Sequence, residues 1–251
     1  MSKQKQQAAP RSSGFWDTFK TVVYAILIAV VVRTFAYEPF HIPSGSMIPT
    51  LLIGDYLFVS KASYGYSRYT FPFPVPWLQG RIWFSQPQRG DVVVFKLPLD
   101  NKTDYIKRLV GLPGDRIQVR GGVLYINDEA VPRKRVGDYK LVDRFGNVST
   151  VPQYVETMPN GVSYRVLDSE AFGPLDNTDV YVVPEHHYFM MGDNRDGSRD
   201  SRVLNAVGYV PEENLVGRAE IIVFSHDGSA RLWQVWDWPF AIRFSRFGDL
   251  L

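Results

Sequence analysis

The chain has 251 residues, of which 45% are hydrophobic, so it can bury a substantial core and is not disordered throughout. Its formal net charge of +2 is too small to indicate a nucleic-acid partner. It has no cysteine, which excludes disulfides, thiol nucleophiles and thiolate metal sites but does not fix the compartment.

The amino-terminal region predicts a membrane anchor. Residues 1–14 form a polar tail, and the uncharged run Thr21–Val32 lies within a segment, 15–37, that is long enough to cross a bilayer as one helix. Four basic residues precede the uncharged run, Lys3, Lys5, Arg11 and Lys20, and they outweigh Arg33, which follows it. We therefore expect the tail in the cytoplasm and everything after Tyr37 to be exported. A cleaved signal peptide ending at Thr34-Phe35-Ala36 is the alternative, and it would export the same residues.

From Pro39 onward, short β-type segments alternate with turns, and helical periodicity is nearly absent. The predicted strands are Asp55–Lys61, Asp91–Lys96, Arg116–Val119, Val123–Asn127, Val180–Val183, Tyr188–Met191 and Ala219–Phe224. The fold class is therefore mainly β. We expect one exported β domain, residues 38–251, that contains an inserted second β lobe, residues 116–184.

Two further segments allow alternative interpretations. Phe71–Trp77 carries a proline at every second position, which rules out a central strand and favours a packed coil over an apolar flap. Near the carboxyl terminus, aromatic residues could dip into the membrane interface or pack as a terminal strand. These aromatic residues and the arginines among them are Arg231, Trp233, Trp236, Trp238, Phe240 and Arg243.

A serine-rich turn follows the predicted anchor. Gly45 separates Ser44 from Ser46, and prolines at positions 43 and 49 bracket the group. Glycine lets a substrate approach the backbone closely, and the prolines stiffen the turn. A serine hydroxyl is a nucleophile only if a neighbouring base takes its proton. An ordinary surface turn is the alternative for such a peptide.

Lys107 is a candidate for that base. None of the four histidines has metal-ligand spacing, and nothing marks a Ser-His-Asp triad. Alternation along Asp104–Val110 places Lys107 on one face with Tyr105 and Leu109, which is unusual for a lysine. Burial would lower its pKa, and a drop to about 8 requires roughly 3 kcal/mol of desolvation. Locally, an edge-strand lysine that prevents aggregation is the competing interpretation.

The segment Gly192–Arg202 is dense in acids and arginines. It could be a solvated loop or a network of ion pairs that holds neighbouring strands. It lacks the ligand order of a calcium-binding loop, so we expect neither a metal nor another cofactor.

These segments together resemble the bacterial type I signal peptidases, which are membrane-anchored serine proteases with a Ser–Lys dyad. The resemblance covers nearly everything from Arg33 to the carboxyl terminus. The blocks that carry it are Glu38–Met47, Arg89–Phe95, Tyr105–Asp115 and Met191–Arg202. Many members of the family have two membrane spans, whereas this sequence predicts one.

The resemblance implies a role for four residues in catalysis. Ser46 would be the nucleophile and Lys107 the general base. The backbone N–H of Ser46 and the hydroxyl of Ser44 would form the oxyanion hole. Ser198 would orient the amine of Lys107.

The resemblance also implies two structural ion pairs, Asp193 with Arg108 and Asp200 with Arg202. It further implies shallow apolar pockets for small side chains at the −1 and −3 positions of the substrate. The residues expected to form these pockets are Phe40, Ile42, Met47, Leu51, Leu57, Tyr105 and Ile106.

The implied function is cleavage of amino-terminal signal peptides from exported preproteins, after small residues of the Ala-x-Ala type. Such an enzyme would lie in the bacterial inner membrane with a single pass and its catalytic domain on the periplasmic or outer face. Its expected partners are signal peptides and membrane lipid, and we expect it to act as a monomer near the translocation machinery. The alternatives are a dedicated processing peptidase for a pilus or conjugation system, and a membrane-anchored β domain that only binds a partner.

Overall fold

A 21-residue α-helix, α1 (Phe15–Phe35), stands at the amino-terminal end of the computed structural model, which describes residues 14–72, 75–142, 146–169, 173–230 and 234–251. It is apolar around its whole circumference, and Thr34 is its one buried residue. A helix that is hydrophobic on all sides needs an apolar surrounding, and this one is long and apolar enough to cross a bilayer. It ends before Tyr37, the predicted limit, because Tyr37 pairs with Ser60 in a sheet.

Among the other described residues, the regular secondary structure is almost entirely β-strand, which confirms the mainly β class. The strands are β1 (Tyr37–His41), β2 (Asp55–Ser60), β3 (Tyr66–Ser67), β4 (Arg81–Ile82), β5 (Val92–Lys96), β6 (Asp104–Gly111), β7 (Arg116–Arg120), β8 (Val123–Ile126), β9 (Glu129–Ala130), β10 (Arg133–Val142), β11 (Val148–Thr157), β12 (Ser163–Leu167), β13 (Tyr181–Val182), β14 (His187–Met191), β15 (Val210–Pro211) and β16 (Leu215–Ser225). Each predicted strand corresponds to one of these. The strands that were not predicted include β1, the β10–β12 group and the two-residue strands β3, β4, β9 and β15.

The main sheet has seven strands in the order β1-β2-β16-β5-β6-β14-β15, and neighbouring strands are antiparallel. Its centre is covered on both faces. Val92 and Val94 of β5 belong to one hydrophobic cluster, and Val93 and Phe95 belong to another. This division follows from the two-residue period of a strand. Because β6 lies between β5 and β14, the interpretation of Lys107 as an edge-strand lysine is wrong.

Two smaller sheets occupy the region where a second β lobe was expected. One has the order β13-β7-β8-β9 and the other β10-β11-β12. A hydrophobic cluster that includes Ile117 and Leu124 joins them to Phe189 and Met191 of β14. Strand β10 has no buried residue along its length, so it lacks the alternating pattern by which strands are recognised.

The structure only partly separates the alternatives for the proline-rich segment and for the carboxyl-terminal aromatic residues. In Phe71–Trp77, Val75 is buried and Trp77 is exposed, while residues 73 and 74 lie outside the described residues. At the carboxyl end, the short helix α2 (Trp238–Ala241) and a 3-10 turn (Phe244–Arg246) stand where a terminal strand was one of the two alternatives. A proline in the first turn of α2 favours this outcome, since it has no N–H for a strand ladder. Arg231 and Trp233 lie outside the described residues.

Candidate active site

Ser46 lies in a turn that begins just after β1 and is held by its own apolar neighbours. Ile42, Met47 and Leu51 are buried in the cluster that covers one face of the main sheet. They fix the turn on the sheet because withdrawing them would expose apolar surface to water. Only 8% of Ser46 itself is exposed.

The amine of Lys107, which belongs to β6 of the main sheet, reaches the hydroxyl of Ser46. Lys107 Nζ lies 2.6 Å from Ser46 Oγ and 2.9 Å from the carbonyl oxygen of Ile106. It also lies 5.3 Å from the centre of the Tyr105 ring. Only 3% of Lys107 is exposed, so this contact is almost completely shielded from water.

Burial sets the protonation state of that amine. Loss of hydration disfavours the ammonium form and lowers the pKa of Lys107 from 10.5 to about 8, although the charges of Asp200 and Asp193 act in the opposite direction. A lysine with this pKa is neutral in a substantial fraction of molecules near neutral pH. It can therefore accept a proton from a hydroxyl within hydrogen-bonding distance.

Two buried ion pairs flank this contact. Arg108 donates to both oxygens of Asp193, from Nε at 2.8 Å and from Nη2 at 2.6 Å. Arg202 donates to both oxygens of Asp200, each at 2.9 Å. Burial opposes ionisation of Arg108 and Asp200, but their partners outweigh it, so the pKa of Arg108 is raised and that of Asp200 is lowered.

The segment that carries these acids contacts the serine turn directly. The backbone N–H of Asn194 donates to the carbonyl oxygen of Ser46 at 3.1 Å, and its side-chain amide donates to that of Gly45 at 3.1 Å. Gly192 is packed so closely that an added Cβ would lie 2.6 Å from the Ser46 carbonyl oxygen and would overlap Ser198 Oγ. The position of Ser46 therefore depends on the segment Gly192–Arg202, which is a packed network and not a solvated loop.

Ser198 is buried, and its hydroxyl interacts with the carboxylate of Asp200. The amine of Lys107 donates instead to Ser46 and Ile106. The expected role of Ser198 in orienting that amine remains a prediction.

A cavity of about 560 Å³ opens over the Ser46–Lys107 contact. Its lining includes both serines of the turn and four of the seven residues expected to form substrate pockets, Phe40, Ile42, Tyr105 and Ile106. The other three, Met47, Leu51 and Leu57, are completely buried behind it and do not line it. The sequence alone did not separate the two groups, because both consist of apolar or aromatic side chains.

A residue of the three-stranded sheet supports this arrangement and was not predicted from the sequence. Glu156 of β11 is fully buried and pairs with Arg195, whose Nη1 lies 2.9 Å from Glu156 Oε1. Tyr164 of β12 donates to the same carboxylate at 2.8 Å, and its ring lies 4.3 Å from the guanidinium of Arg108. Arg195 also donates to the carbonyl oxygen of Gly192 at 3.3 Å. Nothing in the weakly patterned sequence around Glu156 indicated this role.

One group of acids among the described residues could surround a metal ion. Its ligand atoms lie within 4.8 Å of one another, and its members are Asp168, Asp176 and Asp196. Each carboxylate already accepts a hydrogen bond from the protein: from Arg133, from the backbone N–H of Gly173 and from Ser169, respectively. Hydrogen bonds from the protein therefore account for the positions of these three carboxylates.

Comparisons with known proteins identify the family of this chain. The family model for signal peptidase, peptidase S26, matches residues 15–224. Signal peptidase I of Rickettsia massiliae is 44% identical over 221 residues, which cover 84% of this chain and 79% of that protein. Signal peptidase I of Rickettsia akari is 45% identical over 213 residues, which cover 80% of this chain and 77% of that protein.

Among solved structures, a signal peptidase I from Enterococcus faecalis aligns with 53% of this chain and 97% of that chain, at 28% identity and a TM-score of 0.30. The family match runs from the start of α1 into β16, and the Rickettsia proteins resemble this chain over most of its length. The chain therefore belongs to the signal peptidase family, peptidase S26.

Proposed function

We propose that this protein removes signal peptides from exported preproteins by attack of Ser46 on the peptide bond, with Lys107 as the general base. Its family makes it a serine endopeptidase. The observation that carries the finer assignment is the 2.6 Å contact between Lys107 Nζ and Ser46 Oγ, shielded from water at the base of the cavity.

In the first half of the reaction, neutral Lys107 takes the proton from Ser46 Oγ as that oxygen attacks the carbonyl carbon of the substrate. The carbonyl oxygen becomes an oxyanion, which the backbone N–H of Ser46 and the hydroxyl of Ser44 stabilise. One such donor is typically worth about 3 kcal/mol in the transition state. Ser44 is exposed and lines the cavity, as an oxyanion donor must.

The tetrahedral intermediate then collapses. The ammonium of Lys107 gives its proton to the departing amine, the peptide bond breaks, and the signal peptide remains as an ester on Ser46. The neutral amine next takes a proton from water, which attacks the ester. Lys107 returns that proton to Ser46 Oγ as the signal peptide leaves with a free carboxylate.

The cavity supports a preference for small side chains. Phe40, Ile42, Tyr105 and Ile106 give it an apolar lining close to the nucleophile. Met47, Leu51 and Leu57 are fully buried in the densely packed core, so the walls of the cavity cannot easily move outward to admit a larger side chain. Side chains such as alanine at the −1 and −3 positions fit this shape, which corresponds to Ala-x-Ala cleavage.

The anchor places this chemistry at a bilayer. The apolar helix α1 and the family both support membrane anchoring. We assign the protein to the bacterial inner membrane, with residues 1–14 in the cytoplasm and residues 38–251 on the outer face. This orientation rests on the excess of basic residues before the span. Residues 116–184 form the inserted lobe in this assignment.

Purified variants test the dyad. We expect Ser46→Ala and Lys107→Ala each to abolish cleavage of a preprotein whose signal peptide ends in Ala-x-Ala, with unfolding curves that show a folded domain. The variants Ser149→Ala and Lys102→Ala change exposed residues of the same types and should keep full activity. Substantial turnover by either dyad variant would contradict the mechanism.

The same assay separates the alternatives. A general signal peptidase should cleave several unrelated preproteins, whereas a pilus or conjugation peptidase should cleave one class. A domain that only binds a partner would lose nothing when Ser46 or Lys107 is replaced.

A further inference from the structure

Asn194 holds two consecutive carbonyl groups of the serine turn. Its backbone N–H donates to the carbonyl oxygen of Ser46 at 3.1 Å, and its side-chain amide donates to that of Gly45 at 3.1 Å. The second contact acts on the peptide unit that joins Gly45 to Ser46. This unit carries the Gly45 carbonyl at one end and the Ser46 N–H at the other, and the proposed mechanism uses that N–H as an oxyanion donor.

The geometry of the peptide unit transmits this contact. The bond between Gly45 and Ser46 is trans, so the unit is planar and its C=O and N–H point in nearly opposite directions. A donor that fixes the direction of the Gly45 carbonyl therefore also fixes the direction of the Ser46 N–H. This N–H donates to no other described residue, and Ser46 lines the cavity, so the N–H is left for a substrate.

The peptide unit needs support from outside the turn because Gly45 gives it freedom. Gly45 has no side chain, so the peptide that follows it can rotate at low steric cost. One bond within the turn opposes this rotation, since the N–H of Ile48 donates to the same Gly45 carbonyl at 3.2 Å. Asn194 supplies a second bond from a distant part of the chain.

Asn194 is itself fixed on two sides. Its backbone forms a parallel bridge with Leu167, the fully buried last residue of β12. Its side-chain oxygen accepts a hydrogen bond from the N–H of Gly197 at 3.3 Å, which directs the amide nitrogen towards Gly45. Gly197 is packed so closely that an added Cβ would overlap this amide. The amide donor therefore has one supported orientation.

We propose that Asn194 is a positioning residue, which directs the Ser46 N–H into the oxyanion hole by holding the Gly45 carbonyl. The inference rests on the proposed function, because it is attack by Ser46 that makes use of this N–H. Gly197 and Arg199 of the same segment line the cavity, whereas Asn194 does not. Asn194 can therefore act on a substrate only through the serine turn. A donor on the carbonyl also polarises the N–H of the same peptide unit, which strengthens its bond to an oxyanion.

Replacement by alanine tests this role. Asn194→Ala removes the amide donor and keeps the backbone N–H. The matched control is Asn160→Ala, because Asn160 makes the same two kinds of contact far from the serine turn. Its amide donates to the carbonyl oxygen of Arg89 at 2.8 Å, and its side-chain oxygen accepts from the N–H of Val162 at 3.3 Å. Both full-length variants are purified in detergent, and unfolding curves compare them with the parent protein.

We expect Asn194→Ala to lower kcat for an Ala-x-Ala peptide on the order of tenfold, with little change in KM. Complete loss of an oxyanion donor costs roughly a hundredfold or more, and the bond from Ile48 limits the effect to less than that. A peptide boronic acid, which forms an anionic tetrahedral adduct with Ser46, should bind more weakly by the same factor as the loss in kcat. Asn160→Ala should match the parent protein in all three measurements.

An isosteric substitution provides a second measurement. Asn194→Asp places a carboxylate oxygen where the amide nitrogen faced the Gly45 carbonyl. Two acceptors repel each other, so the peptide unit should turn away and kcat at high pH should fall roughly a hundredfold. The added negative charge, next in sequence to Asp193, should also raise the pKa of Lys107 and the midpoint of the pH profile. Asn194→Ala adds no charge and should leave that midpoint at about 8.

Three results would overturn the proposal. Full kcat in both Asn194 variants would show that the turn alone holds the peptide unit. A rise in KM without a loss in kcat would place Asn194 in substrate binding. A midpoint for Asn194→Ala that moves towards 10.5 would show a general loss of burial around Lys107. Failure of the proposed function would be detected separately, because Ser46→Ala would then keep the activity of the parent protein.

Discussion

Peptidase activity should rise with pH through a single ionisation near the pKa of Lys107. Lys107 is the only base that contacts Ser46 Oγ among the described residues, and its pKa is lowered to about 8, chiefly by burial. Only the neutral amine can accept the proton of Ser46. We therefore expect kcat/KM for a soluble peptide to increase about tenfold per pH unit below about 8 and to become constant above it.

The size of the effect on activity follows from how far the pKa of Lys107 is lowered. Lowering the pKa from 10.5 to about 8 corresponds to about 3 kcal/mol of differential desolvation. At pH 7 it raises the neutral fraction from roughly one molecule in three thousand to about one in ten. The acids Asp193 and Asp200 prevent a larger shift, because their negative charges stabilise the ammonium.

The assay is steady-state hydrolysis of an Ala-x-Ala peptide by detergent-solubilised protein between about pH 6 and pH 10. Samples returned to pH 8 should recover full activity, which separates titration from denaturation. A rate that still rises tenfold per unit above pH 9 would refute the reasoning, since it would indicate a solvated lysine with its ordinary pKa.

Three further predictions concern the same site. Replacement of the buried lysine by an apolar side chain of similar length, Lys107→Met, should stabilise the domain at pH 7 by up to about 3 kcal/mol. Between about pH 8 and 10.5 the lysine of the unfolded chain keeps a proton that the lysine of the folded chain has lost, so the parent protein gains stability as the pH rises. The stability advantage of the Lys107→Met variant should therefore shrink, and unfolding curves at pH 7 and pH 10 measure it. Glu156→Gln leaves a buried guanidinium without its counter-charge and should cost about 3–5 kcal/mol of unfolding free energy, whereas an unchanged denaturation midpoint would show that the pair is dispensable. Gly192→Ala would place a methyl group 2.6 Å from the Ser46 carbonyl oxygen and should lower kcat much more than it changes KM; normal kcat in peptide hydrolysis would show that the serine turn can move freely.

The local sequence was sufficient for the elements whose signal is local. The run Thr21–Val32 predicts α1 because a span needs only uninterrupted apolar length. Strands such as β5 and β8 were predicted because their apolar residues are continuous or alternate between turn formers. Strand β10 was not predicted, since it buries none of its residues and therefore carries no hydrophobic period.

The residues of the candidate site also divide into those that the sequence indicated and those that it did not. Ser46 and the acidic segment Gly192–Arg202 stand out as residue types and spacings, and the family resemblance supplied their partners. Met47 could not be separated from Ile42 as a pocket residue, because which of two apolar side chains lines a cavity depends on what packs behind it. Glu156 carried no signal, because its partner Arg195 lies 39 positions away in the chain.

The sequence by itself determined a mainly β protein with an apolar amino-terminal helix, a serine between prolines and a lysine on a β segment. Only the tertiary structure decided that Lys107 lies inside a seven-stranded sheet, 3% exposed and 2.6 Å from Ser46 Oγ. The physical reason is that desolvation comes from neighbouring strands distant in sequence, so the pKa of a lysine is a property of the assembled sheet and not of its own segment.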